Sequence, residues 1–237
     1  MDKLLAERVE RYGSELGEPF HYMYNHWCEV WLLYKQYVTL FGTNEKRIQL
    51  LNTAAPTLFS NVEKYFWEAI VLGLCRINDP VKSMGNRNLS LRSLADYIDD
   101  SEIRQSVVEA AEFAAEKSKN LISRRNKRLA HLDFNIATKR ATLHDGISRR
   151  DLKETILASF KPLRVISMQI ADVDIRPFVV DRKDDTSLLI NLFIASEKAE
   201  EFDRETLQTA IKNGKLHKPY PDWLFDENFE KWMNVEV

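Results

Sequence analysis

Apolar residues recur along most of this chain at intervals of three and four, the spacing that puts side chains on one face of a helix. Strict alternation, the mark of a half-buried strand, is scarce. The pattern predicts helices over about 3–16, 18–41, 44–53, 56–78, 90–99, 102–128, 148–172, 185–199, 203–213 and 222–233. After Pro56 the stripe runs Leu58, Phe59, Val62, Phe66, Ala69, Ile70, Gly73, Leu74 and Ile77, broadening as a central buried helix would. The next long helix opens with a cap at Asp100 or Ser101 and buries Ile103, Val107, Ala110, Ala114 and Leu121. Its alanines allow a neighbouring helix to come close. Leu152, Ile156, Phe160, Leu163, Ile166 and Ile170 form a further stripe, with a kink expected at Pro162.

Residues 173–184 break the rhythm and leave room for a short extended stretch. The expected organisation is therefore an all-α, antiparallel helical domain over 1–175. A C-terminal appendage over 176–237, whose structure could be mixed, follows it. Phe225, Phe229 and Trp232 recur at helical spacing near the end. They read as a terminal helix docked on the body, with a partner-binding motif as the alternative.

Composition strengthens the helical reading. Seven glycines and seven prolines in 237 residues are about half the usual share, too few for the many turns of a sheet-rich fold. The formal net charge is −2, so any nucleic-acid-binding surface must be local. Two lone cysteines, Cys28 and Cys75, lie in apolar helical patterns and are expected to be buried reduced thiols. The charged start and the lack of any apolar run near the roughly 20 residues that cross a bilayer predict a cytoplasmic protein with no membrane partner. Asn88-Leu89-Ser90 is then a chance glycosylation pattern.

The densest basic run holds Lys117, Lys119, Arg124, Arg125, Lys127 and Arg128. Most such runs are solvated helix faces, but Arg125 follows Val107 by about five helical turns and so continues the apolar face. An inward guanidinium is costly unless it is paired or lines a polar cleft. Asn126 comes next and His131 lies six residues on, about 120° away on a continuous helix. The two converge only if the helix ends or bends, or if a second subunit supplies one of them. Arg124 and Arg128 are closer in angle to His131, which leaves the working arginine open. Asp133 could orient the imidazole.

These residue types suit RNA cleavage. An imidazole can take the proton of a ribose 2′-hydroxyl, and a guanidinium can hold the phosphate as charge builds. No metal or other cofactor is required, and DNA lacks the attacking hydroxyl.

The Arg125-Asn126…His131 spacing resembles the signature of the HEPN superfamily. Leu51-Asn52-Thr53-Ala54-Ala55-Pro56-Thr57-Leu58-Phe59, Trp67-Glu68, Arg76-Ile77-Asn78-Asp79-Pro80 and Asn88-Leu89-Ser90-Leu91, with Ala130-His131-Leu132-Asp133, resemble its AbiU-type abortive-infection branch over about 20–175. The resemblance implies a HEPN-type helical bundle that dimerises with two Arg…His motifs facing each other. It also implies metal-independent ribonuclease activity in phage defence or as a toxin, with an antitoxin protein as a further partner. Carried over, Arg125 holds the phosphate, His131 is the acid and base, and Asn126 assists. Arg124, Lys127, Arg128 and Arg76 would contact the RNA. Asp133 stands where some HEPN toxins carry a tyrosine that a partner enzyme adenylylates, so silencing by that route is not expected.

Two other readings stand beside this one. A catalytically silent HEPN domain could bind RNA or a protein through the same basic cleft, or the chain could be a purely structural interaction domain. Arg125 opening into a cleft with His131 favours the first two readings. Arg125 in an internal ion pair far from His131 favours the third. Arg76 and Asp79, near Pro80, could close their helix as a charge pair, or Arg76 could be a second phosphate contact. His21 with His26, or His131 with Asp133, lack the companions of a metal site. His144 reads as a loop residue. Phe20, Tyr22, Tyr24, Trp27, Trp31, Tyr34 and Tyr37 could stack bases, but read first as core or dimer interface.

Overall fold

The computed structural model describes residues 3–83, 85–126 and 146–177, with scattered positions between 186 and 209. Its regular elements are α1 (Lys3–Tyr12), α2 (Gly17–Phe41), α3 (Glu45–Ala54), α4 (Pro56–Ile77), β1 (Lys82–Ser83), β2 (Asn86–Arg87), a 3-10 helix (Arg92–Tyr97), α5 (Ser101–Arg124) and α6 (Arg149–Ala171). Several helix starts follow residues able to satisfy or dispense with free backbone N–H groups. Asn44 caps α3 by accepting from Arg47 N–H. Pro56 opens α4, where its missing N–H costs nothing. Asp100 caps α5 by accepting from Glu102 and Ile103 N–H, and Ser148 with Asp151 forms a capping box on α6. Asp172 ends α6 in the left-handed region at φ 51°.

α6 is the axis of the packing. Opposite α5, Lys117 meets Glu154 at 3.6 Å and the Lys161 ammonium lies 4.2 Å from the Phe113 ring centroid, so these two helices run antiparallel. Opposite α2, Trp27 Nε1–H donates to the Ile156 carbonyl at 2.9 Å and the Tyr34 hydroxyl donates to the Arg149 carbonyl at 3.1 Å, again antiparallel. α2 also packs on α4, and Gly73 makes that approach possible: a Cβ there would stand 2.5 Å from Val30 Cγ2. Val107, Leu121, Leu152, Ile156, Leu163, Ile166, Ile70 and Leu74 are buried between these helices. Of the aromatic set on α2, Phe20, Trp27, Tyr34 and Tyr37 join this core, while Tyr22 is 51% exposed.

The structure departs from the sequence reading in several places. Leu58, counted in the apolar stripe, is 58% exposed, because only the later part of α4 lies deep in the bundle. The helix expected over 90–99 is a short 3-10 turn. α6 is helical through Pro162, whose ring is buried. Extended structure occurs as a two-residue hairpin at β1 and β2, with Ser83 opposite Asn86. Strands this short carry no alternation to read, and the available signal was Gly85, which takes φ +84° at the turn. Residues 172–177 are irregular without a strand.

The chain divides into two compact units, Met1–Thr186 and Ser187–Val237. All the elements named above belong to the first. In the second, 189–195 are helical; Phe225, Phe229 and Trp232 lie outside the described residues.

Candidate functional site

The end of α4 fixes one half of the site. Asn78, 2% exposed, donates from Nδ2 to the Leu74 carbonyl and to Ser159 Oγ on α6, at 2.9 and 3.0 Å. Pro80 follows too closely for the helix to continue. Asp79 is thereby held at a break between a pinned residue and a proline, its side chain 22% exposed.

The other half comes from α5. The helix keeps its α geometry to Arg124, and at Arg125 and Asn126 the backbone widens into a π-type turn. Such a π-type turn often marks a functional position. Arg125 continues the buried face of Val107, and its side chain is 23% exposed. It donates from Nη1 to Asp79 Oδ1 at 2.8 Å and from Nε to Asn126 Oδ1 at 3.0 Å. The inward guanidinium thus has a carboxylate partner, as its burial requires. Asp79 pairs with Arg125 and not with Arg76, whose exposed side chain lines the groove alongside. The helix-closing Arg76–Asp79 pair is therefore replaced by a tertiary one.

Arg124 turns elsewhere, its guanidinium carbon 4.4 Å from the centroid of the Trp67 ring on α4. Nothing in the sequence marks that stack, because the two residues meet only across the bundle. Cys75 is buried near the ion pair, and burial pushes its thiol up to about 12. Arg125 pulls in the opposite direction and Asp79 adds to the rise. Cys75 is therefore a protonated thiol at neutral pH and not a nucleophile. Cys28 is half-buried, less enclosed than its apolar pattern suggested. Lys127, Arg128, His131, Asp133 and His144 lie outside the described residues.

Among the described residues no group of three or more His, Cys, Asp or Glu side chains could hold a metal ion. His21 and His26 are occupied separately. His21 meets Arg8 and Asn25, and His26 Nδ1 lies 3.3 Å from Glu29 Oε2. Among the described residues no helix is long and apolar enough to cross a membrane.

A family model described as AbiU2, of the HEPN type, matches residues 5–187. The chain belongs to the AbiU2 HEPN family. That match ends within a residue of the first compact unit, Met1–Thr186, so the AbiU2 domain and the helical body are the same object. No curated protein matches the chain, and no solved structure matches it. As an AbiU2 domain it is an abortive-infection HEPN domain. Arg125 and Asn126 stand at the end of its α5, and Asp79 at the end of its α4.

Proposed function

We propose that this AbiU2 domain is a metal-independent endoribonuclease acting in abortive infection or as a toxin. The observation that carries the reading is the setting of Arg125. It is an inward arginine held by Asp79, beside Asn126, where α5 leaves α-helical geometry on the way to His131. His131 would take the proton of a ribose 2′-hydroxyl, whose oxygen then attacks the adjacent phosphorus. The 5′-oxygen of the next nucleotide leaves with a proton, and a 2′,3′-cyclic phosphate remains. Arg125 would exchange part of its contact with Asp79 for the phosphate and stabilise the added charge. Arg124, Lys127, Arg128 and Arg76 would supply the surrounding positive field. The acting species on this reading is a cytoplasmic homodimer with its two motifs facing each other, restrained by an antitoxin protein.

A second reading has an observation of its own. The ion pair with Asp79 already neutralises Arg125 within one chain. An internal ion pair is one half of the mark of a purely structural interaction domain; the other half, the distance from Arg125 to His131, lies outside the described residues. Wild type, Arg125→Ala and His131→Ala are incubated with labelled transfer and messenger RNA in EDTA. The cleavage reading expects the wild type alone to leave cyclic or 3′-phosphate ends. Equal cleavage by all three removes the motif from the mechanism, and no cleavage by folded, dimeric wild type moves the reading to binding.

A further inference from the structure

Asp79 belongs to two places at once. It grips Arg125 at 2.8 Å, and it lines an open groove of about 420 Å³ between α2, the end of α4 and the β1–β2 hairpin. The groove brings together side chains from three separated parts of the chain, Tyr22 and His26 from α2, Arg76 from α4, and Arg87 and Asn88 from the hairpin.

The chemistry of this lining is specific. Tyr22 is 51% exposed although its helical neighbours Phe20, Met23 and Trp27 are buried. Its ring is thus the one aromatic face of that group offered to the groove. Arg76 is exposed on the same wall. Arg87 is held in place by Asp96 at 3.1 Å and by the Tyr97 ring at 5.1 Å. The Asn88 side chain donates to the Pro80 carbonyl, which ties the hairpin to the break that positions Asp79. His26 Nε2 is enclosed without a hydrogen-bond partner, an unmet polar capacity. Two arginines with an exposed aromatic ring between elements is the composition that single-stranded nucleic acid selects: phosphates on the cations, a base on the ring.

We propose that this groove is a binding subsite for single-stranded RNA, seating a nucleotide next to the phosphate that Arg125 would hold. The proposal rests on the ribonuclease reading for what happens at Arg125, but binding in the groove can be measured without cleavage. Asp79 both lines the groove and pairs with Arg125, so the groove and the Arg125 ion pair share one residue.

The test uses the full chain and a short fluorescent single-stranded RNA with every 2′-hydroxyl methylated, which cannot be cut by 2′-attack. Anisotropy titrations compare wild type with Tyr22→Ala, Tyr22→Phe and Arg76→Gln. Tyr22→Ala is expected to bind about tenfold more weakly, and Tyr22→Phe to match wild type. Arg76→Gln should lower the slope of log Kd against log salt by about 0.7, the share of one single-strand phosphate. A shared melting temperature establishes that the variants are folded. Unchanged affinity in Tyr22→Ala and Arg76→Gln overturns the subsite, as does a wild type that does not bind this RNA. The cleavage reading is scored separately with unmodified RNA. A wild type that binds through Tyr22 but never cuts leaves the subsite standing and removes the ribonuclease. One that cuts with KM unaltered by Tyr22→Ala does the reverse.

Discussion

Replacing Asp79 by alanine leaves Arg125 with 23% of its side chain exposed and no carboxylate beside it. Fully exposed pairs contribute about 0–1 kcal/mol, and truncating a buried pair costs about 3–5 kcal/mol. With both side chains about one-fifth exposed, this pair lies between those limits, at about 2 kcal/mol for Asp79→Ala. Asp79→Asn keeps an oxygen in reach of Nη1 and loses only the charge assistance, about 1 kcal/mol. In a unit of this size each kcal/mol shifts Tm by about 2–4 °C, so Asp79→Ala should melt about 4–8 °C lower. The pairwise part comes from a double-mutant cycle with Arg125→Ala, measured by urea unfolding, with an expected coupling of about 1 kcal/mol or more. A coupling below about 0.3 kcal/mol would refute the argument, since the contact at 2.8 Å would then contribute no more than two independent surface charges.

Gly73→Ala sets helix propensity against packing. Alanine gains about 1 kcal/mol over glycine in a helix, but its Cβ would stand 2.5 Å from Val30 Cγ2 in a core that cannot yield. A net loss of about 1–3 kcal/mol is expected by thermal unfolding, partly restored by Val30→Ala; a neutral or stabilising result would show the helices free to part. Asp100→Ala should cost about 1 kcal/mol in urea midpoint through loss of the α5 cap, and no change would mean that Ser101 substitutes for it. Alkaline pH should also destabilise the domain. Burial raises the Cys75 thiol from an ordinary 9.0 to about 12 and the Tyr24 hydroxyl from 10.0 to about 12. The unfolded chain therefore releases these protons first, and stability, complete below about pH 9, falls as pH rises toward about 12. Urea midpoints against pH for wild type and Cys75→Ala test this. Identical slopes in the two would remove Cys75 from the account.

The fold was legible in the sequence wherever local physics decided it. Period-3.6 stripes located α2, α4, α5 and α6, and Pro56 and Asp100 marked the starts of α4 and α5, because such signals act within a few residues of themselves. The inward direction of Arg125 was legible too, since helical phase carries from Val107 along one element. The hairpin at Lys82–Arg87 was not, because two-residue strands have no periodicity and only Gly85 marks the turn. Leu58 was misplaced because periodicity finds a face but not how far along the helix a neighbour covers it.

What sequence alone determined, then, is the helical class, the start of α5 at Asp100 or Ser101, the AbiU-type resemblance and the need of Arg125 for a partner. The tertiary structure decided which partner. Sequence proximity favours Arg76 for Asp79, but those two residues share one helix end, whereas Arg125 arrives from another helix with its guanidinium already turned inward. A half-buried charge gains more from a counter-charge than an exposed one does, so Asp79 belongs to Arg125, and Arg76 is left facing the groove with Tyr22 and Arg87. That choice depends on how two residues 46 apart in sequence are brought together, which no local pattern records.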